Sequence, residues 1–330
     1  MIFQLDIALF KSEKLWLDIE TLLNLVSKSD RHKILKPSIE SPDYNNWWSS
    51  LSSQRKYFFN EIFSMSDRIS FQSLKCPRYM VSISNGGSNI DINKAIVLVN
   101  TSFKIYVENA RNDKNFIKFF CRSENKSKFL EYCINNEIEF VNGGGITELG
   151  KTILETPVDK SYSFFIFDRD SLPFTGASSQ SNSIKALCEE EKIQHHQLKR
   201  RCIENYLPKK SLINLIELRK GPKKTLFRNK VNAYLDIKCD QIIHNINMKT
   251  GIDGDLSRIT ELKLSVEDVY KLSSISLSSR TLLASGFSKG ISIAYQDNNH
   301  KLKLNESEIL KDRSAYDEVN QIIDHILRML

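Results

Sequence analysis

An α/β fold, a parallel sheet flanked by helices, is the class this sequence predicts. Two observations carry it. From about residue 95, apolar segments of strand length alternate with segments of helical periodicity. Strands separated by helices need crossover connections, and crossovers give a parallel sheet. Within that stretch, Ser163-Phe164-Phe165-Ile166-Phe167 is an unbroken, aromatic-rich apolar run of the kind a sheet buries on both faces. The expected organisation is a mainly helical N-terminal extension (1–92), the α/β core (93–215) and a mainly helical C-terminal region (216–330).

Composition bounds the function classes. The 41% apolar and 26% charged residues are those of a folded globular chain, and 330 residues suffice for one large domain or two ordinary ones. No apolar run approaches the ~20 residues that span a bilayer, so no membrane association is expected. The opening Met1-Ile2-Phe3-Gln4-Leu5-Asp6 lacks the basic start and apolar core of a signal peptide. Six scattered cysteines without a CxxC pair argue for reduced thiols in a cytoplasm rather than a disulfide framework or zinc site. A net charge of +7 permits a nucleic-acid partner without demonstrating one.

In chain order, Leu15 to Val26 and Gln54 to Met65 have helical spacing, and the segment from Pro37 to Trp48 between them reads as a loop or turn. The extension ends at Ser84-Asn85-Gly86-Gly87-Ser88-Asn89, a joint by composition. Phe103 to Val107 is a strand, Asp113 to Phe120 and Lys126 to Asn135 are helical, and Ile138 to Val141 is a second strand closed by Gly143-Gly144-Gly145. After the third strand, Ser163 to Phe167, comes a Ser/Gly-rich loop (Phe174 to Ser183). A helix over Ile184 to Lys192, a fourth strand at His195 to Leu198 and a mainly helical Ile203 to Leu218 follow. Beyond 222, Val266 to Leu272 and Glu318 to Leu330 are the best helices.

This order collects acids. Glu108 follows the first strand, and Asp168 and Asp170 follow the third. Parallel neighbours would therefore bring all three to the C-terminal edge of the sheet, where α/β folds bind ligands. Asp113, at the start of the next helix, could approach the same place. Taken alone, Asp-x-Asp after a strand is more often a turn or helix cap, and Glu108 a solvated loop residue. Together the acids are a hard oxygen set that selects Mg²⁺ or Mn²⁺ over zinc.

The ordered pattern over about residues 100–215 resembles the Toprim domain shared by topoisomerases, bacterial primases and OLD-family (overcoming lysogenization defect) nucleases. Its parts are a strand ending Val107-Glu108, a helix bearing Asp113-Lys114-Asn115-Phe116, a strand with a Gly-Gly turn, and Phe164 to Asp170. Arg201-Cys202-Ile203-Glu204-Asn205-Tyr206-Leu207 is similar to the Arg-x-x-Glu-Asn-Tyr-Leu element of small bacterial Toprim nucleases. These include OLD-like proteins and the nuclease subunit of PARIS-type antiphage systems. Two departures stand out: Asn109 takes the place of a usual glycine, and Asp113 lies one residue late. A nucleophilic tyrosine and strand-passage scaffold of the topoisomerase kind are not identified.

The resemblance implies a metal-dependent nuclease acting on DNA or RNA. Glu108, Asp168 and Asp170 would hold Mg²⁺ or Mn²⁺ with Glu204 completing the set, or Glu108 would serve as general base. Lys199 or Arg201 would neutralise the transition-state oxyanion. It also implies an antiphage defence effector under the control of a separate ATPase subunit, contacted through residues 1–90 or the C-terminal helices. A homo-oligomer is a further partner the reading admits. The competing reading is a degenerate, non-catalytic module that binds nucleic acid or a partner protein.

Other motifs are weaker. Gly145-Ile146-Thr147-Glu148-Leu149-Gly150-Lys151-Thr152 satisfies the phosphate-loop pattern GxxxxGK[ST], with Phe164 to Asp168 as its apparent second motif. Ile146 and Leu149 suggest an amphipathic turn instead, Pro157 leaves little helix, and Lys151 and Asp168 are too close for the intervening elements of such a sheet. A stand-alone ATPase is therefore disfavoured. His195 and His196 would face opposite sides of a strand and cannot share a metal. Asp253-Gly254-Asp255 lacks the glutamate of a calcium loop and reads as a turn. The basic runs Lys199-Arg200-Arg201, Lys209-Lys210, Arg219-Lys220, Lys223-Lys224 and Arg228 are either solvated faces or a track for phosphates. Trp47-Trp48 is read as core before partner anchor.

Overall fold

The computed structural model describes residues 1–37, 41–67, 78–83, 86, 89–121, 126–155, 162–288, 290–296 and 302–330. Two compact units divide the chain: Met1–Phe103 with Asp324–Leu330, and Lys104–Ile323.

The first unit departs from the helical extension expected. It carries a four-stranded sheet, β1 (Ile2–Leu5), β2 (Lys33–Leu35), β3 (Arg78–Val81) and β4 (Asn89–Ile90), in the order β2-β1-β3-β4 with every pair parallel. Helices α1 (Trp16–Val26), α2 (Pro42–Ser50), α3 (Ser53–Asp67) and α4 (Ile92–Asn100) complete it. The strands escape notice because runs of two to four residues show no periodicity. Helix α1 buries Ile19, Leu22, Leu23 and Val26, an i, i+3, i+4, i+7 stripe. Helix α2 lies where a loop was expected. Pro42 occupies its first turn, where a missing N–H is harmless, and Ser41 Oγ caps it by accepting from the Tyr44 N–H at 3.1 Å. Trp47 is fully buried, stacked on Phe59, in keeping with the core reading, whereas Trp48 is half-buried. The joint at 84–89 falls mostly outside the described residues, as do Pro157 and Cys76.

The second unit holds the expected parallel arrangement. Strands β5 (Phe103–Val107), β6 (Ile138–Asn142), β7 (Ser163–Phe167) and β8 (Gln194–Gln197) are ordered β6-β5-β7-β8, with β7 parallel to both β5 and β8. Every residue of β7 is buried. On one face, Tyr106, Phe165 and Phe167 pack with residues of α7 (Ile146–Glu155) and α8 (Ser179–Glu190). Helices α5 (Ala110–Phe120) and α6 (Ser127–Ile134) follow β5 in sequence, and Phe116 of α5 meets Tyr206 and Tyr295 edge-on. The remainder is helical as expected: α9 (Lys209–Glu217), α10 (Pro222–Leu235), α11 (Asp240–Asn245), α12 (Leu256–Glu261), α13 (Val266–Tyr270), α14 (Leu277–Leu283), α15 (Glu306–Ile309) and α16 (Arg313–Met329), whose residues from Asp324 on are counted with the first unit. No described helix is long and apolar enough to cross a membrane.

Candidate active site

Adjacent parallel strands deliver the first two acids together. Lys104, Ile105 and Tyr106 of β5 pair with Ser163, Phe164 and Phe165 of β7, so Glu108 and Asp168 emerge side by side at the C-terminal edge. The Glu108 carboxylate accepts from the Asp168 N–H at 2.9 Å. The glycine run between β6 and α7 turns beneath them. The Gly145 N–H donates to the Glu108 carbonyl at 3.1 Å, and Gly145 does so at φ +99, where a side chain would be strained.

Asp113 joins them through the cap of α5. Asn109 Oδ1 accepts from the Asn112 N–H at 3.1 Å, while Asp113 Oδ2 accepts from the Asn109 N–H at 2.8 Å. This reciprocal cap gives both Asn109 and Asp113 a local structural role. Asn109 sits at φ −136, an extended conformation that makes no demand for glycine, and Asp113 is placed to close the cap. Glu108, Asp113 and Asp168 then line one crevice of about 10 Å³, barely the room of a single water, with walls from Phe116, Ile117 and Ile166.

Each acid keeps some solvent contact, yet protein closes round the carboxyl groups. Burial pushes Asp113 up to about 7, with repulsion from Glu108 and Glu204 adding to it. Burial foremost, then repulsion from Glu108, Asp113 and Glu204, holds Asp168 well above the carboxylate range. Burial also raises Glu108, opposed by the Asp168 N–H and the Lys249 charge.

Glu204 reaches the cluster from a 3₁₀ turn (Ile203–Tyr206) after β8. It is 1% exposed, its Oε1 stands 3.2 Å from Lys249 Nζ, and its Oε2 is buried with no hydrogen-bond partner among the described residues. The rest of its motif is scaffolding. The Asn205 amide donates to the Ile243 and Ile246 carbonyls, each at 3.0 Å, and Tyr206 Oη donates to Glu318 at 2.8 Å. Buried Glu318 also accepts from the Lys199 N–H and meets His196 Nε2, each at 2.8 Å. His195 instead stacks on Phe167, so the two histidines do diverge.

Asp170 and Arg201 are placed differently from the expectation. Asp170, at φ +47, lies with Oδ1 3.6 Å from Arg201 and Oδ2 3.3 Å from Arg258, outside the crevice. Arg201 is buried and bound through both terminal nitrogens to Asp255, at 2.6 and 2.7 Å, with Tyr270 also donating to that carboxylate. It is therefore a positioning residue rather than a group presented to substrate. Lys199 is exposed and lines a cavity with Arg169. Among the described residues, no three His, Cys, Asp or Glu side chains stand at a metal's ligand distance.

The apparent phosphate loop is helical. Helix α7 begins at Ile146, and Lys151 pairs with Glu148 at 2.8 Å, so Ile146 to Thr152 cannot wrap a phosphate. Sequence reasoning missed Lys249 and Asp255 as partners. Both lie far along the chain from the acids, and only the Asp-Gly-Asp already read as a turn drew notice to the segment. No family model, curated protein or solved structure matches the chain.

Proposed function

We propose that this chain is a metal-dependent nuclease with a Toprim-like core, hydrolysing phosphodiester bonds of DNA or RNA. One observation carries the reading: Glu108, Asp113, Asp168 and Glu204 are enclosed and repel one another, and one oxygen of Glu204 has no hydrogen-bond partner among the described residues. Enclosed carboxylates that outnumber nearby cations favour a divalent ion. Glu108 and Asp168 would hold Mg²⁺ or Mn²⁺, with Asp113 and Glu204 close enough to compensate its charge. Such an ion supplies a water of lowered pKa and Lewis-acid stabilisation of the scissile phosphate. Lys249, held above its ordinary basicity by Cys202, Glu204 and Asp168 despite burial, offers a permanent positive charge to the transition state. Asp170, fixed by Arg201 and Arg258, borders the site.

The substrate class draws support from a basic surface nearby. Arg219, Lys223 and Lys230 line a cavity of about 240 Å³ beside α10, suited to a phosphate backbone. Its far wall, Ser285 to Ser288, is tied to the Lys249 loop: the Phe287 and Ser288 N–H groups donate to the Met248 and Lys249 carbonyls at 2.8 and 3.0 Å. The resemblance to OLD-like and PARIS-type nucleases extends the proposal to a defence effector governed by a partner ATPase. A chain that purifies as a stable, constitutively active monomer would count against that extension.

Thermal shift and cleavage test the nuclease reading together. Saturating Mn²⁺, at a hundredfold excess over its Kd, should stabilise the wild type by about 2.7 kcal/mol. Asp168→Asn and Glu108→Gln should lose that response and all Mg²⁺-dependent cleavage of a DNA and RNA panel while remaining folded. In EDTA, Asp168→Asn should melt slightly higher than the wild type, because a repelled, desolvated charge is gone. Metal-dependent cleavage by both variants would sink the assignment. A second reading, the non-catalytic binding module, is favoured by Lys249, which already supplies Glu204 with a cation. It predicts no Mn²⁺ response in the wild type.

A further inference from the structure

We propose that the cavity beside Asp168-Arg169-Asp170 is a subsite for one unpaired nucleotide, its base on Phe174 and its phosphate on Arg169 and Lys199. The identity of the ligand as nucleic acid rests on the nuclease reading. The cavity, about 370 Å³, has Arg169, Phe174, Lys199 and Gln241 in its lining.

Phe174 is the unusual member. It is 46% exposed and sits at φ +57, a left-handed conformation unfavourable for a bulky aromatic residue. Neither burial nor local preference accounts for an aromatic ring held there, since exposure forgoes the hydrophobic gain of a core position. The turn is nevertheless pinned. Thr175 Oγ1 accepts from the Leu172 N–H at 3.1 Å and donates to the Leu172 carbonyl at 3.0 Å, and the Ser178 N–H donates to the Arg169 carbonyl at 3.1 Å. Lys271 Nζ lies 5.3 Å from the ring centroid without lining the cavity, a cation–π contact that leaves the ring available on the cavity side.

The polar groups complete a nucleotide's requirements. Arg169 NH1 is tied to the Lys199 carbonyl at 3.2 Å, while its Nε is enclosed with no hydrogen-bond partner among the described residues. Lys199 is exposed and carries no described ion pair, and Arg169 NH2 makes no described hydrogen bond, so each offers a nitrogen to a phosphate. Gln241 uses its carbonyl oxygen weakly, towards Asn245 at 3.4 Å, leaving its amide N–H groups for a base edge. Arg169 lies between the two acids in sequence, so a phosphate on it would adjoin the one presented to Glu108 and Asp168. A base stacked in this cavity must be outside a duplex, which makes single-stranded or extruded nucleotides the substrate class.

Binding of a short fluorescent single strand, as DNA and as RNA, measured in EDTA tests this independently of cleavage. A second probe with abasic sugars reports the base alone. The wild type should bind the base-bearing strand about tenfold tighter than the abasic one. Phe174→Ala should bind both alike, and Phe174→Trp should restore the preference. Equal discrimination by Phe174→Ala and the wild type, or none in the wild type, overturns the subsite even if cleavage is observed. Preference that depends on Phe174 in a protein that never cleaves would keep the subsite and reject the nuclease reading.

Discussion

Removing the carboxylate of Asp255 should unlock the candidate site from behind. Asp255 is 2% exposed and Arg201 6%, and their two short hydrogen bonds make a buried bidentate pair. Asp255→Asn preserves shape but leaves an enclosed guanidinium without its bidentate, buried partner. Breaking such a pair from one side costs about 3–5 kcal/mol, far above the ~1 kcal/mol ceiling of an exposed pair. For a unit of this size, that corresponds to a melting point lower by about 6–20 °C. The released guanidinium still has Asp170 within reach at 3.6 Å, so the damage should also pass to the Asp168-Arg169-Asp170 turn. Urea unfolding followed by circular dichroism, with hydrogen exchange over residues 198–206, measures both effects. The paired replacement Arg201→Met with Asp255→Leu should recover most of the lost stability, since an apolar pair needs no compensation. A loss below about 1 kcal/mol in Asp255→Asn would refute the reasoning, because it would mean that water reaches the pair.

Two further outcomes are expected. Gly251→Ala should destabilise by at least about 2 kcal/mol and impair whatever depends on Lys249, measured by urea unfolding and by cleavage. Gly251 sits at φ +72, and an added Cβ would lie 2.2 Å from the Leu283 carbonyl oxygen and 2.3 Å from that of Ala284. In the first unit, burial, with the nearby amino terminus, Arg31 and Lys33, pushes His32 down to about 2. Below pH ~6.5 the unfolded chain takes up a proton the folded one refuses, so stability should fall by up to about 1.4 kcal/mol per pH unit until near the folded value. His32→Asn should flatten this dependence. All three tryptophans, Trp16, Trp47 and Trp48, lie in that unit, so indole fluorescence during urea unfolding at pH 7.5 and 5.5 reads it directly.

What the sequence made legible follows from range. Ser163 to Phe167 matches its strand residue for residue, because a doubly buried strand has no polar face to blur the pattern. Glu108 and Asp168 could be placed at one edge because strand alternation with helices dictates parallel neighbours. The strands of the first unit were illegible: Ile2–Leu5 and Asn89–Ile90 are too short for any period, and their pairing is a long-range property. Pro42 misled because proline signals a turn and a helix start alike. Asp255 and Lys249 were invisible for another reason. Their partners, Arg201 and Glu204, stand dozens of residues away, and a single sequence carries no mark of which charges meet. Arg201 was accordingly expected at the substrate, whereas it braces the turn behind it.

The buried hub at Glu318 sets an order on biosynthesis. Three groups of the segment 196–206 converge on that carboxylate, supplied by the C-terminal helix. A chain still on the ribosome has already made every acid of the candidate site, but not the residue that anchors Lys199 and Tyr206. Ordering of this frame therefore waits until Glu318 has been made, and a fragment released before Glu318 carries the acids without the carboxylate that ties down Lys199 and Tyr206.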